Sequence, residues 1–454
     1  MKPRLPFPLV ATLSILGFSA LLIGAASHVP PFGATPEPPA SPPKPLAPQV
    51  PVAWKAGFAS ANVTPEKNLW MAGYAARKQP SEGKVQDLFA KALALEDETG
   101  GRFVFVTLDL IGVPQRVRWQ VAERAEKEFQ LPPSRLMLNA SHTHSGPELY
   151  RRSTPPTEED LKNEKIRDYW DYTRKLEDQM VNIIGEAIQH LEPARLTWGH
   201  AKCGFAMNRR RDYSLPEGHP NANKAPNPDG PVDHDVPALR VEAPDGTLKG
   251  VLFGYACHNT SLGFYYYCGD YAGYAQEYLQ QNRPGFQAMF LMGCAGDQNP
   301  YPRRSGIVPG VTDLELAQQH GRSLANSVEM ALTVNPRGVT GPIQAAYEEI
   351  DLVYADPKKP LHPYPVQVVK LGKDVTFVAL GSEVTVDYSL RFKKELAGEA
   401  AVWVAGYSND YTGYVPSLRV LKEGGYEAAA GWADDVEDRI AIKVHELHGK
   451  LKNP

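Results

Sequence analysis

Between residues 103 and 415 of this 454-residue chain, short apolar runs repeatedly end in clusters of polar, ligand-type residues. Phe103-Val-Phe-Val-Thr-Leu-Asp-Leu110 is rich in β-branched and aromatic residues and reads as a strand. Leu136-Met-Leu138 begins another, which runs into Asn139-Ala-Ser-His-Thr-His-Ser-Gly-Pro147. Residues 250–256 and 286–292 read as buried strands, and more are expected at 343–350, 365–371, 375–380 and 400–406. Helix-forming stretches lie between them, at 116–129, 272–281, 313–333, 384–397 and 432–448. In 173–191 the helical period sets Leu176, Met180, Ile183, Ile184 and Ala187 on one face. Alternation of this kind predicts an α/β fold: a mixed β-sheet core with helices on both faces, and a loop-rich site at the strand ends. Residues 201–232, with many Arg, Asn and Pro, read as a surface excursion.

The first residues follow a different rule. Lys2 and Arg4 precede an apolar stretch over 9–26, and Ala25, Ala26 and Ser27 offer a cleavage-like site. Residues 1–28 therefore read as a signal peptide or a membrane anchor. A Pro-rich linker follows over 29–53, where ten prolines between Pro30 and Pro51 favour extended, solvated backbone. Residues 54–454 are then the expected catalytic domain. It is expected to be exported, whether periplasmic, extracellular or membrane-anchored facing outward, with a membrane surface among its contacts. The 48 basic and 52 acidic residues nearly balance, so nucleic acid is not an expected partner. Cys203, Cys257, Cys268 and Cys294 permit up to two disulfides, and no Cys-x-x-Cys spacing suggests a zinc knuckle. Nothing in the sequence fixes the oligomeric state.

Chemistry concentrates at the strand ends. His142 and His144 are expected to diverge, so that one metal takes one of them. His258 stands in Tyr255-Ala-Cys-His-Asn-Thr-Ser-Leu-Gly263, again directly after an apolar run. Glu383 follows the run at 375–380, where an acid also suits a helix N-terminus. The tyrosine-rich loop Gly406-Tyr-Ser-Asn-Asp-Tyr-Thr-Gly-Tyr-Val415 reads equally as a turn with packing tyrosines. Imidazoles with a carboxylate suit zinc. Asp109, Asp270 and Asp297 are candidates to orient the histidines from behind.

Taken in order, these segments resemble the neutral, non-lysosomal ceramidases. The resemblance rests on His-Thr-His-Ser-Gly-Pro, the His-x-Thr-Ser segment, Gly-Asp-x-x-Gly-Tyr-Ala at 269–275 and the Tyr-Thr-x-Tyr loop. Asn208-Arg209 and Tyr426-Glu427 add to it, and it spans most of 54–435. It implies one Zn2+ per chain, held by His142, His258, Glu383 and Tyr414. It also implies an acid/base or substrate-orienting role for His144, and an Arg209 that contacts the substrate or a developing oxyanion. Asp297 and Tyr411 complete the expected catalytic group. The implied reaction is hydrolysis of the amide of an N-acyl lipid, N-acylsphingosine to sphingoid base plus fatty acid, by an activated water. Two departures qualify it. The family's Gly-Asp-x-Ser-Pro-Asn segment is matched here at Gly296 and Asp297, but no serine follows, so a serine-nucleophile route is not expected. No strand-rich segment is left for the family's C-terminal β-sandwich. The alternatives are a zinc hydrolase for a different amide or ester, and a non-catalytic metal-containing binding protein on the same scaffold.

Overall fold

Alternate residues of the central strands point into different cores, and that parity builds the fold. The structure is a computed structural model that describes residues 51–212, 215–216, 218–219, 226–303, 308–398 and 400–451. The expected leader and most of the Pro-rich linker lie outside them. The strands are β1 (Trp54–Asn62), β2 (Phe89–Asp97), β3 (Arg102–Leu108), β4 (Leu136–Ala140), β5 (Glu192–Lys202) and β6 (Ala206–Asn208). Next come β7 (Asp235–Glu242), β8 (Leu248–Tyr255), β9 (Gln287–Met292), β10 (Gln298–Pro300), β11 (Arg337–Val339) and β12 (Ile343–Leu352). Last are β13 (His362–Leu371), β14 (Val375–Leu380), β15 (Glu383–Val384), β16 (Ala401–Ala405) and β17 (Tyr414–Val415). The helices are α1 (Gln115–Phe129), α2 (Glu164–Gln189), α3 (Asp270–Gln280), α4 (Asp313–Thr333), α5 (Val386–Glu395), α6 (Leu418–Glu423) and α7 (Val436–Lys450).

A mixed nine-stranded sheet runs β4-β3-β2-β1-β5-β7-β8-β9, with β11 added beside β5. A second sheet runs β12-β13-β14-β16. On β2 and β3, Ala90, Ala92, Ala94, Val104 and Val106 face α1 and α2, while Leu93, Leu95, Phe103 and Phe105 face the second sheet. Farther across, Val251, Phe253, Ala288 and Phe290 face α3 and α4, whereas Leu252, Met289 and Leu291 turn inward. The second sheet repeats the rule: Phe377 and Ala379 face the first sheet, and Val378 and Leu380 face α5 and α7. Two sheets thus stack face to face with helices on both outer sides. Aromatic pairs cross between the sheets, Phe105 to Phe377 at 5.1 Å and Trp198 to Trp403 at 5.6 Å between ring centroids. Each adds about 0.5–1.5 kcal/mol beyond its area burial. Gly254 makes room for this contact, since a Cβ there would lie 2.8 Å from Trp403 Nε1.

Five strands of the large sheet, β1, β2, β5, β7 and β11, were not evident from the residues. β2, Phe-Ala-Lys-Ala-Leu-Ala-Leu-Glu-Asp, has a helix former's composition, but pairing on both edges and burial on both faces override it. Helix α2 begins earlier than its apolar stripe because Asn163 caps Lys165 and Ile166 N–H. The surface excursion is corrected in part. Cys203, Phe205, Ala206 and Asn208 are buried, and β6 pairs with β10. All four cysteines are buried and unpaired. Among the described residues no helix is long and apolar enough to cross a membrane.

Candidate metal centre

The ends of β4, β8, β14 and β16 open onto one space. His142 lies two residues past β4, His258 three past β8, and Glu383 three past β14, while Tyr407, Tyr411 and Tyr414 follow β16. Asn139 locks the β4 end in place. Its amide Nδ2 donates to Gly406 O (2.7 Å), Ser408 Oγ (3.0 Å) and Met292 O (3.3 Å), and its Oδ1 accepts from Met292 N (2.8 Å). One buried side chain thereby joins β4, β9 and the tyrosine loop. A two-stranded parallel ladder, β15 with β17, puts Glu383 directly beside Tyr414. Ser382 and Asp410 brace it, for Ser382 Oγ donates to Asp410 at 2.9 Å and accepts from Thr412 N at 3.0 Å.

Backbone strain gathers here. His142, Ser382, Tyr407 and Asn409 all have φ between 51° and 63°, a left-handed conformation that L side chains adopt at a cost. At His142 this bend swings the ring inward. The expected divergence of His142 and His144 does not occur: their Nε2 atoms are 3.0 Å apart. Alternate residues of an extended chain share a face in any case, and the bend at His142 aims both rings at one point.

His142 Nδ1 lies 2.7 Å from Ile111 O, and His258 Nδ1 lies 2.7 Å from Ala295 O. A carbonyl only accepts, so each Nδ1 carries a proton, and each ring in its neutral form presents an Nε2 lone pair. Both lone pairs face Glu383 Oε2, at 3.2 Å from His142 and 3.3 Å from His258. That carboxylate oxygen is sealed from solvent and has no hydrogen-bond donor. A cation among these atoms would satisfy all of them in a buried space. The separations match the edge of about 3.3 Å expected for tetrahedral zinc with bonds of roughly 2.0–2.1 Å. Ring nitrogens of His142, His144 and His258 all lie within 4.8 Å of one another, a set able to hold a metal ion. Burial, and then Arg209, pushes His258 down to about 3; burial, and then His142 and His258, holds His144 well below the usual histidine range. Neutral imidazoles are what a metal needs.

The remaining expected residues separate. Tyr414 Oη lies 3.4 Å from His258 Nε2, with the two rings stacked. Arg209 donates to Tyr414 Oη and to Glu427 Oε1, both at 2.9 Å. Burial would lower its pKa, but Tyr414 and Glu427 hold it above the usual value. Tyr411 stands 6.0 Å from His142 between ring centroids, under the Arg151 guanidinium. Asp297 touches no histidine. Its Oδ1 accepts from Val386 N at 2.8 Å and its Oδ2 from Asn208 at 3.2 Å, while its carbonyl accepts from Arg209 N at 2.9 Å. It braces the segments that carry Glu383 and Arg209.

The expectation that aspartates orient the histidines is overturned, because Ile111 and Ala295 carbonyls fill that place. Asp109 instead binds Phe89 N and Gln276, and Asp270 binds Leu262 N and Tyr271 N. Tyr407 escaped individual notice, although its ring lies 4.6 Å from His142 and its buried hydroxyl has no partner. Tyr74, 4.6 Å from the His144 ring, carried no sequence signal at all.

Comparison with known proteins agrees with this fold. The family description "Neutral/alkaline non-lysosomal ceramidase, N-terminal" matches residues 54–301. Neutral ceramidase of Pseudomonas aeruginosa is 26% identical over 290 residues, covering 61% of this chain and 42% of that protein. Neutral ceramidase A of Dictyostelium discoideum is 27% identical over 251 residues, covering 51% and 34%. The chain therefore spans less than half the length of these relatives. The crystal structure of the P. aeruginosa enzyme superposes with a TM-score of 0.71 at 18% identity, covering 87% of this chain and 74% of that one. A structure described as ceramidase complexed with C2 gives 0.73 at 18% identity, covering 88% and 76%. The chain belongs to the neutral/alkaline non-lysosomal ceramidase family.

Proposed function

We propose that this protein is a zinc-dependent hydrolase that cleaves the amide of an N-acyl lipid, in the manner of N-acylsphingosine giving a sphingoid base and a fatty acid. The observation that carries the reading is the buried Glu383 oxygen, without a donor, faced by two Nε2 lone pairs whose tautomers are fixed by Ile111 and Ala295. His142, His258 and Glu383 would hold the ion, with Tyr414 completing the set. Bound there, zinc supplies a Lewis acid toward the amide carbonyl and lowers the pKa of a water it binds to about 7. His144, neutral and facing the same space, takes a proton at Nε2 from the attacking water and returns it to the leaving nitrogen. Arg209 is a fixed cation beside Tyr414 and favours negative charge developing on the carbonyl oxygen. Glu427 keeps the guanidinium oriented.

One observation favours a variant of the ligand set. His144 Nε2 is closer to His142 Nε2, at 3.0 Å, than Tyr414 Oη is to His258, at 3.4 Å. His144→Ala and Tyr414→Phe therefore differ in outcome: the true ligand's loss reduces bound metal, and the other's leaves metal in place while slowing turnover. The whole reading is tested by elemental analysis of the purified chain together with fatty acid release from a panel of N-acyl substrates. Zinc near one per chain with hydrolysis is expected. Zinc with no hydrolysis of any substrate would leave only a metal-containing binding protein. Export is likewise our proposal, resting on Lys2, Arg4 and the apolar run at 9–26, and cell fractionation tests it.

A further inference from the structure

A cavity of about 340 Å³ opens beside His144, walled by Trp70, Tyr74, Arg77, Arg151, Lys165 and Tyr411. Gly73 joins it to the centre: with φ +95° and no side chain, its backbone seats directly on His144, where a Cβ would lie 2.4 Å from Cγ. The opposite wall is Tyr411, whose ring is 6.0 Å from that of His142. An approach to a lipid amide is expected to be apolar, since uncharged long-chain substrates offer mainly methylene surface. This cavity is cationic instead.

Its three cations are not equally neutralised. Arg151 is paired with Glu148 at 2.7 Å. Arg77 and Lys165 have no carboxylate within ion-pairing distance among the described residues. Arg77 is half-buried and pinned, its Nη1 and Nη2 donating to the carbonyls of Ala72 and Phe264, while its Nε is sealed without an acceptor. Lys165, in the first turn of α2, sits 3.8 Å above the Trp70 ring. Aromatic faces hold these cations in place without cancelling their charge. A guanidinium and an ammonium so held, at the edge of a catalytic space, attract an anion strongly, because charge-assisted hydrogen bonds are roughly twice as strong as neutral ones.

We propose that this cavity receives an anionic group, a carboxylate or a phosphate, so that among N-acyl substrates a negatively charged one is handled better than its uncharged counterpart. Arg77 and Lys165 are the recognising cations, and Tyr74 and Tyr411 line the path to His144. The inference rests on the hydrolase reading above and narrows its substrate class.

The test uses the zinc-loaded full chain and four substrates with one acyl chain: N-acylglycine, its uncharged carboxamide, N-acylethanolamine phosphate and N-acylsphingosine. Turnover gives kcat/KM, and calorimetry gives binding independently of turnover. At least one anionic substrate should exceed the carboxamide about tenfold to a hundredfold in both measurements. Which anion leads decides between carboxylate and phosphate. Lys165→Gln, an exposed helix position whose change spares the fold, should reduce that ratio about tenfold, and Arg77→Gln should reduce it further. Equal handling of the carboxamide overturns the proposal. So does an anionic preference that both variants leave unchanged, because the centre itself would then be taking the charge. N-acylsphingosine turnover without any anionic preference removes this inference and keeps the hydrolase. An anionic binding preference that Lys165→Gln abolishes, with no substrate hydrolysed, keeps the subsite and removes the hydrolase.

Discussion

The two sheets contribute unlike chemistry to the centre. The nine-stranded sheet brings nitrogen donors, His142, His144 and His258, two of them fixed by hydrogen bonds to backbone carbonyls. The four-stranded sheet brings oxygen donors, Glu383 and Tyr414, and leaves the Glu383 oxygen without a partner. Orientation on one side and an unmet demand on the other make the centre a property of the docked sheets. Neither sheet carries it alone. The family description reaches only residue 301, so it covers the histidines, while the oxygen side lies beyond it.

The largest effect should come from removing one donor of each kind. His258→Ala and Glu383→Gln should each abolish stoichiometric zinc and reduce kcat/KM by about three orders of magnitude, the several kcal/mol that a Lewis acid supplies. Elemental analysis and hydrolysis assays check this. Full zinc in Glu383→Gln would break the comparison, since the second sheet would then supply no ligand.

Zinc should also stabilise the stack. Removing it with a chelator should lower the unfolding free energy by about 4 kcal/mol when free zinc had stood at 1,000 times its Kd. Thermal melts with and without chelator read this, and the His258→Ala melt should not respond. A wild-type melt indifferent to chelator would mean that the sheets dock without the ion.

Asn139→Ala tests the tie between the sheets' ends. It removes three donated bonds and one accepted bond in a dry interior, and the stranded Met292 and Gly406 groups should cost about 2–4 kcal/mol. Denaturant unfolding measures it. A loss under 1 kcal/mol would show that this side chain is not what joins them.

The smallest effect concerns pH. Asp297 links the segment after β9 to the start of α5, and burial, then Asp387, pushes its carboxyl up to about 6. Its folded value lies above the unfolded one, so the folded state holds the proton longer between about pH 4 and 6. Stability from this group is complete below that window and is lost as pH rises through 6, by up to about 3 kcal/mol. Asp297→Asn should flatten that slope in chemical denaturation between pH 4 and 7. An unchanged slope would mean that Asp297 titrates normally and the link is looser than it looks.

Much of this was legible in the residues. The strands at 375–380 and 287–292 and helix α4 match their sequence patterns closely, since buried β-branched runs and capped amphipathic stretches act locally. Thr312 and Glu315 form a capping box at the start of α4, the kind of signal that needs no neighbour. The ligand candidates were legible as residue types at strand ends. The aspartates assigned to orient them were not right, because a carbonyl acceptor leaves no trace in sequence; every residue carries one.

By itself, then, the sequence determined which segments become strands and which polar residues stand at their ends, because periodicity and burial are written in side-chain chemistry. Only the tertiary structure decided that two sheets stack, that His142 and His144 converge, and that Glu383 pairs with Tyr414 across β15 and β17. It alone placed Arg77 and Lys165 beside the centre. Those arrangements depend on contacts between residues far apart in the chain. They also depend on a left-handed turn at His142, which only the packed surroundings hold in place.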